Sequence, residues 1–194
     1  MFDLIVVGAS AIGLYLAKEF SKKGNSVLVL ERKKEIGKKP CSGLVSEHLF
    51  DFVPQNRLFI EKEFFQARIW VKNSFFDFKG RAWLLNREKF DQFLFEKTKE
   101  RGIEIKFEKE IVKVKVRESF VEAMTRDGKA FQGKILAGCD GTISMVAKEA
   151  GLPRQKRLLL GIITYIKQKT SNLQQTTNDF PELLPCPRDY SALW

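Results

Sequence analysis

Residues 2–32, FDLIVVGASAIGLYLAKEFSKKGNSVLVLER, decide how this chain is read. An apolar run at residues 4–7 stops at Gly8-Ala9-Ser10-Ala11-Ile12-Gly13. Leu14, Leu16, Ala17 and Phe20 then recur at helical spacing, Gly24-Asn25 ends the segment, and a second apolar run, Val27–Leu30, leads to Glu31. Strand, glycine turn, helix and strand in this order form a unit that binds dinucleotides. Gly8 permits the tight turn and Gly13 lets the helix lie close to the strand. The helix N-terminus offers unpaired N–H groups and a positive dipole end to a pyrophosphate. Glu31 stands where a carboxylate accepts hydrogen bonds from ribose hydroxyls. Ser10 replaces the middle glycine of the motif and is small enough for a phosphate to approach. An ordinary strand–helix turn without a ligand is the competing reading, but it leaves the acid at the second strand end unexplained.

With 194 residues, the chain has room for one domain or slightly more. The formal charge of +10 and pI of about 9.5 favour anionic partners such as phosphates or acidic lipid surfaces. Most of the excess reads as scattered lysine on a solvated face. No nucleic-acid motif accompanies it, so nucleic acid is not an expected partner. Cys41, Cys139 and Cys186 lie far apart without metal spacing, and His48 is the single histidine. No metal site is therefore expected, and the odd cysteine count favours a reducing cytoplasm. Residues 1–17 carry Asp3 but no basic residue, and their apolar core is short, which argues against an export signal. No apolar run approaches the ~18 residues of a membrane-spanning helix. The expectation is a cytoplasmic protein, with peripheral membrane contact left open.

Further along, polar residues 32–39 lead into Pro40-Cys41-Ser42-Gly43-Leu44-Val45-Ser46, which reads as a loop shaped to approach something flat. The plainer alternative makes Cys41 a small buried filler. Residues 46–52 read as a short helix. Residues 59–78 read as two strands, with Phe65, Ala67, Ile69 and Val71 followed by Phe76 and Phe78; these side chains suit either an apolar pocket wall or core. Trp83-Leu84-Leu85 reads as the opening of an amphipathic helix running to about Arg101, with Asn86 as N-cap and Arg87 as an exposed guanidinium within reach of a phosphate. Residues 104–116 and 120–125, then a turn at Asp127-Gly128 and a strand to about Phe131, read as an antiparallel meander. An apolar strand then ends in Gly138-Cys139-Asp140-Gly141 ahead of a helix at 144–150. Asp140 at such a strand end can accept sugar hydroxyls, and Gly141 lets the backbone come close. Residues 158–166 read as a long apolar strand before a polar, turn-rich tail.

The glycine turn with Glu31, the Arg87 helix and Gly138-Cys139-Asp140-Gly141 together resemble FAD enzymes of the aromatic-hydroxylase type over about residues 1–165. Within that group, residues 40–46 resemble the loop of geranylgeranyl reductases, which use reduced FAD to saturate prenyl double bonds. Ser42 stands where relatives commonly have a second glycine. Tyr190-Ser191-Ala192-Leu193-Trp194 only approximates the Tyr-x-Trp-x-Phe-Pro pattern of that family's substrate cavity, and its later Gly-Asp motif is absent.

The resemblance implies FAD as cofactor. It implies Gly8, Ser10 and Gly13 along the pyrophosphate, with Glu31 and the following Arg32 at the adenosine end. Arg87, Asp140 and Gly141 would contact the phosphate or ribityl region, and Gly43 would lie towards the flavin ring. Cys41 is the implied candidate proton donor, opposite hydride transfer from the flavin to an alkene carbon. The implied partners are a prenyl lipid and an external electron donor. A flavin monooxygenase shares the FAD motifs without needing the Cys41 loop, and a non-catalytic FAD-binding fragment is a further alternative.

The expected fold is α/β, a Rossmann-like domain with a parallel sheet and an antiparallel meander, plus part of an antiparallel α+β substrate domain. The expected FAD-binding domain spans 1–151, interrupted by a substrate-side insertion at about 46–100. Residues 152–194 would begin an incomplete substrate domain. The chain is accordingly expected to be a C-terminally truncated member, inactive alone, with a second polypeptide as one source of the missing half.

Overall fold

The structure is a computed structural model that describes residues 1–37, 40–71, 74–158 and 182–183. The apolar run expected at 158–166 therefore falls, beyond its first residue, outside the described residues, as does Tyr190-Ser191-Ala192-Leu193-Trp194. The described residues fall into two units, those within 1–38 and 88–158 and those within 39–87 and 159–194.

The first unit is built on a six-stranded sheet. Its members are β1 (Phe2–Val7), β2 (Val27–Leu30), β6 (Glu104–Lys106), β7 (Ile111–Val116), β8 (Val121–Thr125) and β9 (Ala130–Gly138), in the order β6-β2-β1-β9-β8-β7. β6, β2, β1 and β9 run parallel, with Val7 beside both Leu30 and Gly138. Strands buried on both faces need continuous apolar sequence, and every residue of β2 is buried. Ile5, Val7, Leu28 and Leu30 share one core with Ile111, Val114 and Ala123 of the meander and with Val146 of helix α3 (Met145–Glu149). Leu4, Val6, Val27 and Val29 point to the opposite face. Helix α1 (Ala11–Ser21) contributes buried Leu14 and Ala17, and helix α2 (Arg87–Lys99) contributes buried Phe90, Leu94 and Thr98. The Thr98 hydroxyl donates to the Leu14 carbonyl at 3.3 Å, tying α2 to α1.

Two parts of this sheet differ from the sequence reading. Residues 104–116 are not one meander strand: β6 pairs parallel with β2 at the far edge, and only β7 joins the meander. β9 is a single strand that serves both neighbours, antiparallel to β8 and parallel to β1. At the β8–β9 turn, the Asp127 carboxylate accepts from the Thr125 hydroxyl and, at 2.9 Å, from Lys109 Nζ. These bonds, the hydroxyl's first, lower the Asp127 pKa from the usual 3.8 to about 2. A depressed folded-state pKa contributes stability that is complete above the unfolded value and lost as pH falls through the folded one. Titration of this side chain by NMR should give a midpoint near 2, and Lys109→Met should move it upward.

The second unit contains β3 (Leu44–Ser46), a 3₁₀ helix (Glu47–Asp51), β4 (Ile60–Val71) and β5 (Ser74–Leu85), with β10 (Glu182–Leu183) alongside β4. β4 and β5 form a long antiparallel hairpin; β3 adds antiparallel to β5, and β10 parallel to β4. Trp83 and Leu85 are buried at period-two spacing, so the trio at 83–85 ends a strand rather than opening the helix. Trp83 meets Phe50 edge-on at 4.9 Å, which packs the 3₁₀ helix onto the hairpin base. Along the outer hairpin, Ala67 pairs with Phe78 and Ile69 with Phe76, which puts these four on one face. Phe76 and Phe78 are more than half exposed there.

Candidate functional site

In the first unit, the C-terminal ends of β1, β2 and β9 converge. The Gly8 N–H donates to the Leu30 carbonyl and the Cys139 N–H to the Val7 carbonyl, each at 2.8 Å. Gly8 has φ +104°, and a Cβ there would lie 2.4 Å from the Cys139 carbonyl oxygen and 3.2 Å from the Asp140 nitrogen. At Gly13 a Cβ would stand 1.9 Å from the Gly8 carbonyl oxygen, inside any contact distance. The glycine turn and the Cys139-Asp140 turn are thus pressed backbone to backbone, and side chains at 8 and 13 are sterically excluded.

Residues of this turn fit an extended phosphate. Ser10 occupies the N-cap of α1 in extended conformation and makes no capping hydrogen bond with its side chain. No acidic side chain lies in the first turn of α1. The N–H groups of a helix's first turn have no partner within the helix, and the helix dipole places partial positive charge there. Open crevices beyond the carboxyl ends of parallel strands are where such folds take ligands.

Glu31 is 7% exposed and anchored at both oxygens. Oε2 accepts from the Ala9 N–H at 2.7 Å and Oε1 from the Lys33 N–H at 2.9 Å. The carboxylate therefore fastens the glycine turn to the end of β2, a role the sequence reading did not foresee. A carboxylate offers about four acceptor positions, so capacity remains for a ribose. Arg32 beside it is exposed.

Asp140 is committed to α3. Its Oδ1 accepts from the Ser144 hydroxyl at 2.6 Å, and Oδ2 accepts from the N–H groups of Met145 at 2.7 Å and Val146 at 3.1 Å. Ser144 Oγ accepts in turn from the Ala147 N–H at 2.9 Å, as an N-cap does. Asp140 thus shapes the turn that meets Gly8, with Gly141 at φ +92° beside it. Burial, and secondarily the Asp140 charge, raise the pKa of the Cys139 thiol, which stays protonated and unreactive near neutrality. Ile12 and Ile143, one in each turn, are 74% and 82% exposed. Both follow the ends of adjacent parallel strands, and they are candidate apolar contacts that the sequence reading passed over. A separate cleft bordered by Phe2, Asn25, Ser26 and Arg101 opens at the opposite strand ends.

Within the second unit, Cys41 and Arg87 come together. Arg87 Nη1 donates to Cys41 Sγ at 3.0 Å, and the Gly43 N–H approaches the same sulfur at 3.5 Å. The Arg87 side chain is partly buried, where the sequence reading expects an exposed guanidinium. The loop is closed by the Leu85 N–H donating to the Gly43 carbonyl at 2.9 Å. Gly43 has φ +76°, and a Cβ there would stand 2.3 Å from the Leu85 carbonyl oxygen. Residues 44–46 of the expected loop are strand β3. Among the described residues no group of His, Cys, Asp and Glu could hold a metal ion.

A family model described as an FAD binding domain matches residues 1–184. The chain belongs to the FAD-binding domain family. FAD is accordingly the cofactor of this domain. Digeranylgeranylglycerophospholipid reductase 2 of Methanopyrus kandleri is 31% identical over 160 residues, 78% of this chain and 40% of the reductase. A protein from the nifH2 5′ region of Methanosarcina barkeri is also 31% identical, over 178 residues, 81% of this chain and 95% of its own length. Among solved structures, a geranylgeranyl bacteriochlorophyll reductase-like protein from Thermoplasma acidophilum shares the fold. Its TM-score is 0.68 at 22% identity, covering 82% of this chain and 43% of that one. The resemblance to geranylgeranyl reductases is thus borne out by relatives carrying that name, and this FAD-binding chain spans about two-fifths of the length of the M. kandleri reductase.

Proposed function

We propose that this chain is the FAD-binding part of a flavoenzyme that reduces prenyl double bonds of isoprenoid lipids. The observation that carries the reading is the Cys41 loop, whose thiol is held by two donors at the base of the hairpin unit. When bound, reduced FAD supplies the hydride for one alkene carbon. The chain's own residues do the rest. Gly8, Ser10 and Gly13 receive the pyrophosphate, Glu31 and Arg32 the adenosine end, and Asp140 with Gly141 keeps the second turn in place. Gly43 shapes the Cys41 loop. Arg87 is a positioning residue that fixes the Cys41 sulfur, and Cys41 Sγ–H supplies the proton for the second alkene carbon. The thiolate left behind recovers a proton from water, so the alkene gains one hydride and one proton in all. Ala67, Ile69, Phe76 and Phe78, on one face of the hairpin, are the wall along which a prenyl chain lies.

The whole enzyme takes electrons from an external donor and works in the cytoplasm, at the membrane that holds its lipid.

Anaerobic incubation of a full-length form with reduced flavin and a prenyl phospholipid, followed by mass spectrometry, tests the reading. A gain of two hydrogens per double bond is expected, whereas oxygen incorporation in air would favour a monooxygenase. Cys41→Ala should lower the reduction rate about 100-fold, the lower end for loss of a general acid, with flavin content unchanged. Parallel loss of flavin and activity would make Cys41 a packing residue instead.

A further inference from the structure

Several cations of the described surface are held in ion pairs. Arg68 meets Asp77, Arg81 meets Glu63, Lys109 meets Asp127, Lys115 meets Glu122, Arg126 meets Glu110 and Lys134 meets Asp3. Residues 152–158, Leu-Pro-Arg-Gln-Lys-Arg-Leu, instead gather three cations within four positions. Every one of them is exposed, and Arg154, Lys156 and Arg157 form no ion pair among the described residues. No acid is available nearby in sequence either: between Glu149 and Asp179 the chain contains no Asp or Glu. The basic trio is bracketed by Leu152 and Leu158, 56% and 54% exposed. Scattered solvated lysine does not account for three unpaired cations between two exposed leucines.

We infer that residues 152–158 dock this protein on an anionic phospholipid surface. Guanidinium and ammonium groups engage the headgroup phosphates, and the two leucines enter the headgroup–acyl boundary. Cations without ion-pair partners among the described residues forfeit none on reaching the membrane, unlike Arg68 or Arg126. The inference rests on the lipid-reductase reading in one respect, since an enzyme acting on a membrane phospholipid must meet the bilayer. The site itself is argued from its charge and exposure alone. The partner is a bilayer rather than nucleic acid because exposed leucines, and no exposed aromatic side chains, accompany the cations; stacking on aromatic rings is what single strands require.

The test is flotation of the full 194-residue chain with phosphatidylcholine vesicles, with and without phosphatidylglycerol. Binding only to the anionic vesicles, weakening as salt is raised, is the expected result. Arg154→Gln, Lys156→Gln and Arg157→Gln combined should lower the partition coefficient about 100-fold, from roughly fivefold per basic residue at such a surface. The same charge removed at exposed Lys23, Lys113 and Lys129 should cost far less, with circular dichroism checking that both variants are folded. Leu152→Ser with Leu158→Ser should weaken binding while leaving its salt dependence intact. Equal binding to neutral and anionic vesicles would overturn the inference. So would equal losses in the two charge variants, or a trio variant that loses RNA binding but keeps vesicle binding. Unchanged affinity in the serine variant would remove the apolar half of it. None of the vesicles contains a prenyl substrate, so a failed reductase assay would leave this result standing.

Discussion

Gly13→Ala is expected to abolish flavin binding and to unfold most of the first unit near room temperature. The added Cβ would lie 1.9 Å from the Gly8 carbonyl oxygen, a backbone atom held between the ends of three strands. Relief requires moving α1 away from β1, which opens the core around Leu14 and Ala17. Ordinary overpacking costs ~1–3 kcal/mol, and a clash with fixed backbone belongs with the exceptional losses above ~4 kcal/mol. Against a total stability of about 5–15 kcal/mol, that leaves little folded protein. Gly24→Ala is the matched control. It carries φ +77°, but a Cβ there would meet no atom within 4 Å, so only the left-handed backbone penalty of about 1–2 kcal/mol applies. Urea denaturation of the two variants should separate them clearly. Equal midpoints would mean that the tight approach of α1 to β1 is not what the fold depends on.

The second large effect is expected at Glu31. Glu31→Ala leaves the buried Ala9 N–H without its acceptor at 2.7 Å, a loss of ~1–3 kcal/mol in stability. It also removes the acceptor proposed for the adenosine ribose, so flavin affinity should fall by a further ~10-fold or more, the equivalent of one charged hydrogen bond. Glu31→Gln tells the two roles apart. Its amide carbonyl can accept from Ala9 or from Lys33, while its NH₂ faces the other donor, so about half of the lost stability should return. Flavin affinity should recover less than stability does. Full recovery of both would reduce Glu31 to a fastener of the glycine turn.

How far the sequence could be read depended on whether the deciding interaction was local. The glycine turn, α1 and β2 were legible because a continuous apolar run, two spaced glycines and a terminal acid leave few alternative structures. The short helix after Ser46 and the helix beginning near Ser144 are legible for the same local reason. β6 was not. Glu104-Ile105-Lys106 has the alternation of a meander strand, and its parallel pairing with β2 is a choice between distant partners. Trp83-Leu84-Leu85 reads as helix because an apolar trio beside Asn86 suits either element, and the burial of Trp83 and Leu85 comes from packing in the hairpin unit.

Site residues followed the same division. Gly8, Gly13 and Glu31 carried their positions in their spacing. The meeting of Arg87 with Cys41 did not, because it joins residues 46 apart through the hairpin fold, and a first-turn arginine reads by default as solvent-facing. Asp140 reads from sequence as a strand-end acceptor, but its bonds to Ser144, Met145 and Val146 give it a structural task that strand-end position alone does not reveal.

Hydrogen exchange of this chain, with and without saturating FAD, tests the central claim most directly, because it reports where the dinucleotide sits irrespective of turnover. The account predicts slowed exchange at the amides of residues 8–14, at 30–33 around Glu31 and at 140–142. The amides at the opposite strand ends, around Ser26 and Gly102, should be unchanged. Protection at those opposite ends, with none in the glycine turn, would contradict it.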